Sequence, residues 1–473
     1  MFFSRTVPKA KCLSKAFDCS TRSWQQVCNS FGTSSRVDPV ITRWAKEATT
    51  PVTLRDLCEI GLDRKRRRNF GQFLHKELKI RISQRVLELS SLPHGLPERV
   101  GIQDVISWYT EFVYDLEDSI EPKTAPQDED FTNLLSRIFE EHTQVIQAMA
   151  LGVQDLMAEK GEAYEEIQPE VDDLLRRFFM ARIGLRFLLQ HHIESLNNRD
   201  GHSGILQLEC DPRMVAEKAA KDSANLCTAH LGKAPPIIVH DTMPGTFTYV
   251  PMHLHYMLVE VFKNACRAVT ERHGDPDEFD DALPPVHCQI VHGADDLTLR
   301  ISDEGGGFSR TQSQDVWKFM WSTYRKSAWK SAKEQGLTAS PLPRPSSGDS
   351  ANNPLQRPSN PWQRPSSGPS ASGVLAGYGV GLSLSRLYAQ YFGGDLRIHS
   401  LDGFGTDVYL HLSRLGTHCE NLPPVVLDSP SMRDSSLEAD ESDGARERFL
   451  LSTAEEAFLR EKLRSFRRGS RTS

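Results

Sequence analysis

Long apolar stretches are missing from this 473-residue chain: no run of 18 or more apolar residues occurs, so nothing in it reads as a membrane-spanning helix. Cysteine is sparse. The nine cysteines, at positions 12, 19, 28, 58, 210, 227, 266, 288 and 419, are odd in number and form no Cys-x-x-Cys pair. This argues against a disulfide framework or a zinc site and fits a reducing compartment. A basic excess is lacking too. With 56 Lys and Arg against 63 Asp and Glu the net charge is −7, which gives no electrostatic footprint for nucleic acid. Neither Gly-x-x-x-x-Gly-Lys nor His-Arg-Asp occurs, so P-loop and eukaryotic-type phosphoryl-transfer sites are excluded. Hydrophobic content of 38% suits a folded majority accompanied by polar segments, and the length suits two domains with tails.

Residues 1–36 carry Arg5, Lys9, Lys11, Lys15, Arg22 and Arg36 against a single acid, Asp18. Basic, Ser-containing and acid-poor, they read as a mitochondrial presequence. From 38 to 198 the pattern is helical. Residues 70–89 repeat apolar side chains at three- and four-residue spacing (Phe70, Phe73, Leu74, Leu78, Ile82, Val86, Leu89), and 102–116, 131–157 and 171–192 do the same. Four long helices with short breaks predict an antiparallel bundle. After a polar boundary at 197–201, helices and strands mix over 205–415. Strands are expected at 236–239 and 246–250, helices at 216–231 and 254–269, and hairpins over 286–303 and 396–412. That order predicts an α/β sandwich, one sheet covered on one face by helices. Residues 326–373 reuse an Arg-Pro-Ser phrase, cannot bury a core and read as a disordered insert; 416–473 form an acidic, largely disordered tail.

Four patches carry candidate chemistry. In the helix at 254–269, Glu260, Asn264 and Arg267 share one stripe: an amide oxygen suits Mg²⁺, a carboxylate can take a proton, and a guanidinium can meet phosphate. Asp303 ends a strand and opens Asp-Glu-Gly-Gly-Gly, where a carboxylate can accept from an adenine amino group while the glycines let the backbone lie against the base. An aromatic, helix-like run from Trp317 leads to Ser322 and Thr323. Gly377-Tyr378-Gly379-Val380-Gly381-Leu382 then opens a helix, and a glycine loop feeding a helix start is an anion site. Thr406 follows Gly403-Phe404-Gly405. Singly, these are also what a solvated helix face, a turn or a strand start looks like.

Taken in order, a Glu-x-x-x-Asn helix, Asp-x-Gly-x-Gly, a polar insert, Gly-x-Gly-x-Gly-Leu and Gly-Thr resemble the ATP-binding domain shared by gyrase B, the Hsp90 chaperone, histidine kinases and MutL, the GHKL type. The wording Phe262-Lys263-Asn264-Ala265-Cys266-Arg267, Ile301-Ser302-Asp303-Glu304-Gly305-Gly306-Gly307 and Gly377–Leu382 is similar to the mitochondrial 2-oxo-acid dehydrogenase kinases, as are Ser107-Trp108-Tyr109 and Arg177-Phe178-Phe179-Met180-Ala181-Arg182 in the helical half. The resemblance covers roughly 40–415. It implies a serine kinase of the mitochondrial matrix that uses ATP and Mg²⁺. Its substrate would be the E1 subunit of a 2-oxo-acid dehydrogenase, most readily pyruvate dehydrogenase, with the branched-chain enzyme as the alternative. Docking on the lipoyl domain of E2 and a homodimer are implied as well. By the same resemblance Glu260 is the general base and Asn264 the Mg²⁺ ligand, while Lys263 and Arg267 flank the nucleotide. Asp303 reads adenine beside Gly305, Gly307 and Thr406; Ser322 and Thr323 sit at the lid base; and Gly377, Tyr378, Gly379, Val380, Gly381 and Leu382 wrap the phosphates.

The chain departs from the family at Tyr256, where a His one turn before the base is usual, at Glu304, where a basic residue is common, and in lacking the Asp-Trp pair of the pyruvate-type tail. Tyr256 motivates a rival reading, an ATP-binding regulatory scaffold of the complex with weak transfer. A two-component histidine kinase would need a His followed by an acid and then Pro, and neither His142 nor His191 has that setting.

Overall fold

The computed structural model describes residues 38–60, 64–197, 199–274, 282–321, 379–414 and 416–423. The presequence, the insert at 326–373 and most of the acidic tail lie outside them.

The helical half contains α1 (Pro39–Ala45), α2 (Leu54–Ile60), α3 (Arg64–Ser90), α4 (Val100–Asp118), α5 (Ala125–Glu141), α6 (Val145–Lys160) and α7 (Tyr164–Glu194). Local chemistry sets their ends. Thr124 and Gln127 form a reciprocal capping box at the start of α5, so two backbone N–H groups that the helix leaves open are satisfied. The faces that carry the three- and four-residue repeat are the buried ones: Phe70, Leu74, Leu78 and Ile82 of α3, and Phe178, Phe179 and Phe187 of α7, are nearly inaccessible.

The helix expected over 131–157 is two helices. A 3-10 turn, His142–Gln144, separates α5 from α6. The break is held by tertiary bonds that periodicity does not reveal: Arg182 Nη2 donates to the His142 carbonyl at 2.7 Å, and the His142 ring lies between the carbonyls of Ile138 (2.7 Å from Nδ1) and Trp108 (3.3 Å from Nε2), donating to one of them. Burial pushes the His142 imidazole down to about 4, so it stays neutral there.

In the second half, α8 (Pro212–Leu231) and α9 (Pro251–His273) precede a hairpin of β5 (Val286–His292) and β6 (Asp296–Gly306), the short helix α10 (Gln312–Asp315), α11 (Gly381–Gln390) and a second hairpin, β7 (Asp395–Leu401) and β8 (Phe404–Ser413). With β3 (Ile237–Asp241) these strands form a five-stranded sheet of order β3-β5-β6-β8-β7, parallel only between β3 and β5. Helices α8, α9 and α11 cover one face. The segment 246–250 does not join this sheet. Its strand β4 (Phe247–Tyr249) pairs with β2 (Leu206–Cys210), which with β1 (His202–Ser203) makes a separate three-stranded sheet that sequence reading did not foresee. The run from Trp317 is not a helix within the described residues; 316–320 form turns after α10.

The halves share one core. Phe187 of α7 packs on Phe392 (5.1 Å between ring centroids), Tyr391 (5.9 Å) and His253 (5.6 Å). Behind β8 the chain returns to the bundle. There the buried Glu420 receives Arg81 Nη2 at 2.8 Å, the Val52 N–H at 3.0 Å and the Tyr391 hydroxyl, while Arg81 also binds Glu77 at 2.7 Å. Among the described residues no helix is long and apolar enough to cross a membrane.

Candidate active site

The strand β6 runs Leu297, Leu299, Ile301, Asp303 along the face that looks toward the helices, and all four are buried. Alternation puts every second side chain on that face, so Asp303 stands where a fourth apolar residue is expected. Removal from water pushes its carboxyl up to about 6, and Asp407 nearby adds to this; the backbone N–H groups of Gly305 and Thr406 pull the other way. The Gly305 N–H reaches Asp303 Oδ1 at 2.8 Å, and Thr406 sits opposite Asp303 in the β6–β8 ladder. Gly305 lies so close to α9 that a Cβ there would overlap Ala268. Gly307, in the left-handed region at φ 63, has Ser400 Oγ and the Gly405 carbonyl 2.8 Å from where a Cβ would stand.

Eight residues back along α9, about 12 Å at 1.5 Å per residue, stands Glu260. Its Oε2 accepts from Lys263 Nζ at 2.8 Å, both side chains being largely enclosed. Against that carboxylate rests Gly381, the first residue of α11, where any Cβ would collide with it. Gly379 precedes it with φ 74, and its Cα faces the backbone of Met320 and Trp321 so closely that a Cβ would stand 2.7 Å from the Trp321 carbonyl. The side chain of Val380 is buried and that of Leu382 packs against the core, so these two residues offer the site only backbone.

One helix therefore carries both ends of the site: Glu260 and Lys263 by the start of α11, Ala268 by the Asp303–Gly305 turn. Asn264 lies between them, exposed and without a hydrogen bond among the described residues. Arg267 is largely enclosed, with its side chain 16% exposed, and is paired with Glu271 at 2.7 Å. Ser322, Thr323, Gly377 and Tyr378 lie outside the described residues. The ring of Tyr256 packs on Tyr388 at 5.3 Å, and the neighbouring His255 binds Asp222 at 2.9 Å; the cation on Glu260 is Lys263.

Two features of the site had no signal in the sequence. Arg272, at the end of α9, donates to the carbonyls of Phe404 (2.7 Å), Gly403 (2.8 Å) and Glu304 (3.4 Å), and so ties the β7–β8 turn to the end of β6. Ser400 reaches the Phe308 N–H at 2.8 Å and the Thr406 hydroxyl at 3.4 Å. Both depend on residues about a hundred positions apart.

A buried carboxylate at one end, a glycine-opened helix start at the other and an exposed amide between them suit a ligand with a hydrogen-bonding base and a polyanionic tail. Residues 249–415 match the family described as histidine kinase-, DNA gyrase B- and HSP90-like ATPase, and 51–214 match the family described as mitochondrial branched-chain alpha-ketoacid dehydrogenase kinase. A mitochondrial [pyruvate dehydrogenase (acetyl-transferring)] kinase of Arabidopsis thaliana is 36% identical over 404 residues, covering 84% of this chain and 99% of the relative. The enzyme of the same name from Drosophila melanogaster is 31% identical, over 80% of this chain and 84% of the relative. The isozyme 4 kinase of Ictidomys tridecemlineatus is also 31% identical, over 80% and 85%.

Proposed function

The chain belongs to the family of mitochondrial pyruvate dehydrogenase kinases, and from that premise we propose that it phosphorylates a serine of the E1 component of a 2-oxo-acid dehydrogenase complex, pyruvate dehydrogenase first. The observation that carries the reading is the shared helix α9, with the Glu260 carboxylate against Gly381 at one end and Ala268 against the Asp303–Gly305 turn at the other. In this reading the Asp303 carboxylate accepts the adenine amino group, Gly305 and Gly307 let the base approach the backbone, and Thr406 closes the edge. Gly379, Gly381 and the backbone of Val380 and Leu382 present N–H groups to the phosphates, with Gly377 and Tyr378 as further residues of the same motif and Ser322 and Thr323 assigned to the lid base. Lys263 and Arg267 supply positive charge.

The donor set fits a magnesium nucleotide: Asn264 offers one hard oxygen, enough only if phosphate oxygens and water supply the remaining ligands. Mg²⁺ bound there would neutralise charge on the transferred phosphoryl group. Glu260 takes the proton from the serine hydroxyl, and Lys263 holds its carboxylate in place. No covalent intermediate is required of the protein, because phosphoryl transfer rests on positioning and charge stabilisation.

The basic residues 1–36 support import to the mitochondrial matrix. A lipoyl domain of E2 as the docking partner and a homodimer complete the proposal, with 326–373 as the lid insert and 416–473 as a tail.

Incubation with Mg·ATP and the purified pyruvate and branched-chain complexes, side by side, tests the proposal. Phosphoserine on the pyruvate E1 supports it. Phosphoserine on the branched-chain E1 instead would support the alternative, toward which the match of 51–214 to the branched-chain kinase family points. ATP binding without phosphoserine on either would leave a regulatory scaffold.

A further inference from the structure

Between the bundle and the glycine loop lies a short stretch, 316–321, with no assigned part in binding nucleotide. Val316, Phe319 and Met320 are buried. Phe319 packs at a tilt on Phe179 of α7 with centroids 5.4 Å apart, and its backbone N–H donates to Asp172 Oδ1, also on α7, at 2.9 Å. Met320 holds a left-handed conformation, φ 60, unusual for a side chain of its size. On the other side, Ser383 of α11 donates to the Trp317 carbonyl at 2.8 Å, and Arg386 of the same helix lies over the Trp317 ring at 4.4 Å. The backbone of Met320 and Trp321 is the surface on which Gly379 rests, at a separation that admits no side chain.

A physical chain therefore runs from α7 through Phe319 and Met320 to Gly379, and then through Gly381 to the Glu260 carboxylate. We propose that Asp172 is a positioning residue for the nucleotide loop: by fixing the Phe319 N–H to the bundle it holds Met320 and Trp321 where Gly379–Leu382 can meet phosphate. The proposal rests on the reading of Gly379–Leu382 as the phosphate-binding loop. The geometry makes the carboxylate specific. A left-handed Met320 persists only because its surroundings hold it, and the captured N–H beside it is one of those holds. Removing an acceptor from a half-buried N–H leaves a donor with neither protein nor full water. Burial pushes the Asp172 carboxyl up to about 6, as for an acid taken out of water to serve a bond.

The test is nucleotide affinity in the full chain, read with ADP by calorimetry, beside kinetics with saturating ATP. Asp172→Ala should raise the Kd for ADP about tenfold and raise KM for ATP in step, with kcat at saturation near that of the parent. Asp172→Asn keeps an acceptor oxygen and should restore affinity to within about threefold of the parent. Asp172→Ala within twofold of the parent overturns the proposal. So does an Asn variant as weak as Ala, which would point to a general packing role. Amide exchange on the unmodified protein needs no variant: the amides of 319–321 should gain protection when ADP binds, and unchanged exchange there also counts against the proposal. Asp303→Ala serves as the control arm. If it leaves ADP affinity intact, the assignment of the pocket itself fails; if it abolishes binding while Asp172→Ala has no effect, only this inference fails.

Discussion

Gly381 stands with its Cα against the carboxylate of Glu260, at a separation that no side chain larger than hydrogen could keep. The start of α11 and the acid on α9 thus define each other's position. Gly381→Ala should push Glu260 off its Lys263 contact and reduce the rate of serine phosphorylation about tenfold or more, since small misplacements of a reacting group are costly. Stability should stay within about 1 kcal/mol, because the contact is with the mobile end of the Glu260 side chain and alanine favours the helix start over glycine. Steady-state kinetics and a urea titration check the two effects separately.

Glu260→Gln keeps the shape of the site and removes the carboxylate proposed as the base. ATP affinity should stay within about threefold, while phosphate transfer falls by about a hundredfold or more. Radiolabel transfer to E1 together with an ATP titration decides it, and retained turnover would refute the role.

Asp303 sets stability against function. Its carboxyl is raised from 3.8 to about 6, so the folded chain holds that proton more tightly than the unfolded one. The contribution to stability is fully present below about pH 3.8 and is lost as pH rises through 6. Above that, an ionised Asp303 costs the nucleotide-free protein at most about 3 kcal/mol, at 1.36 kcal/mol per pH unit. Asp303→Asn should therefore show a higher urea midpoint than the parent at pH 8, with the two converging near pH 4. Its ATP affinity should drop about tenfold to a hundredfold, because the charged acceptor is gone.

Arg272 binds three carbonyls from two turns that flank Asp303 and Thr406. Arg272→Met should weaken ATP about threefold to tenfold with kcat at saturation unchanged, and cost about 1 kcal/mol of stability. Comparing KM with kcat, alongside a melting curve, distinguishes loosened turns from a general loss of fold.

The strand–helix order of the second half was legible because alternation in β5 and β6 and the apolar stripe of α9 are strong periodic signals, and the glycines at 305, 307, 379 and 381 mark the places where backbone must come close. What sequence could not give was whatever depends on distant partners. The break at His142 rests on Arg182, and the separate sheet arises because Phe247–Tyr249 finds β2 instead of β5. The aromatic run from Trp317 has helical spacing, yet Phe319 is drawn toward Phe179 and its N–H toward Asp172, which leaves turns. Tyr256 illustrates the same limit. Its identity alone questioned the tuning of Glu260, whereas the cation found on that acid is Lys263, three residues downstream.

The buried Arg81 obtains two of its oxygens from Glu420, 339 residues further along the chain. During synthesis the first helices must wait for nearly everything behind them before that guanidinium meets its second carboxylate. The helical half would then linger with an under-compensated charge inside it. That pairing can form only once residues at both ends of the described chain are in place.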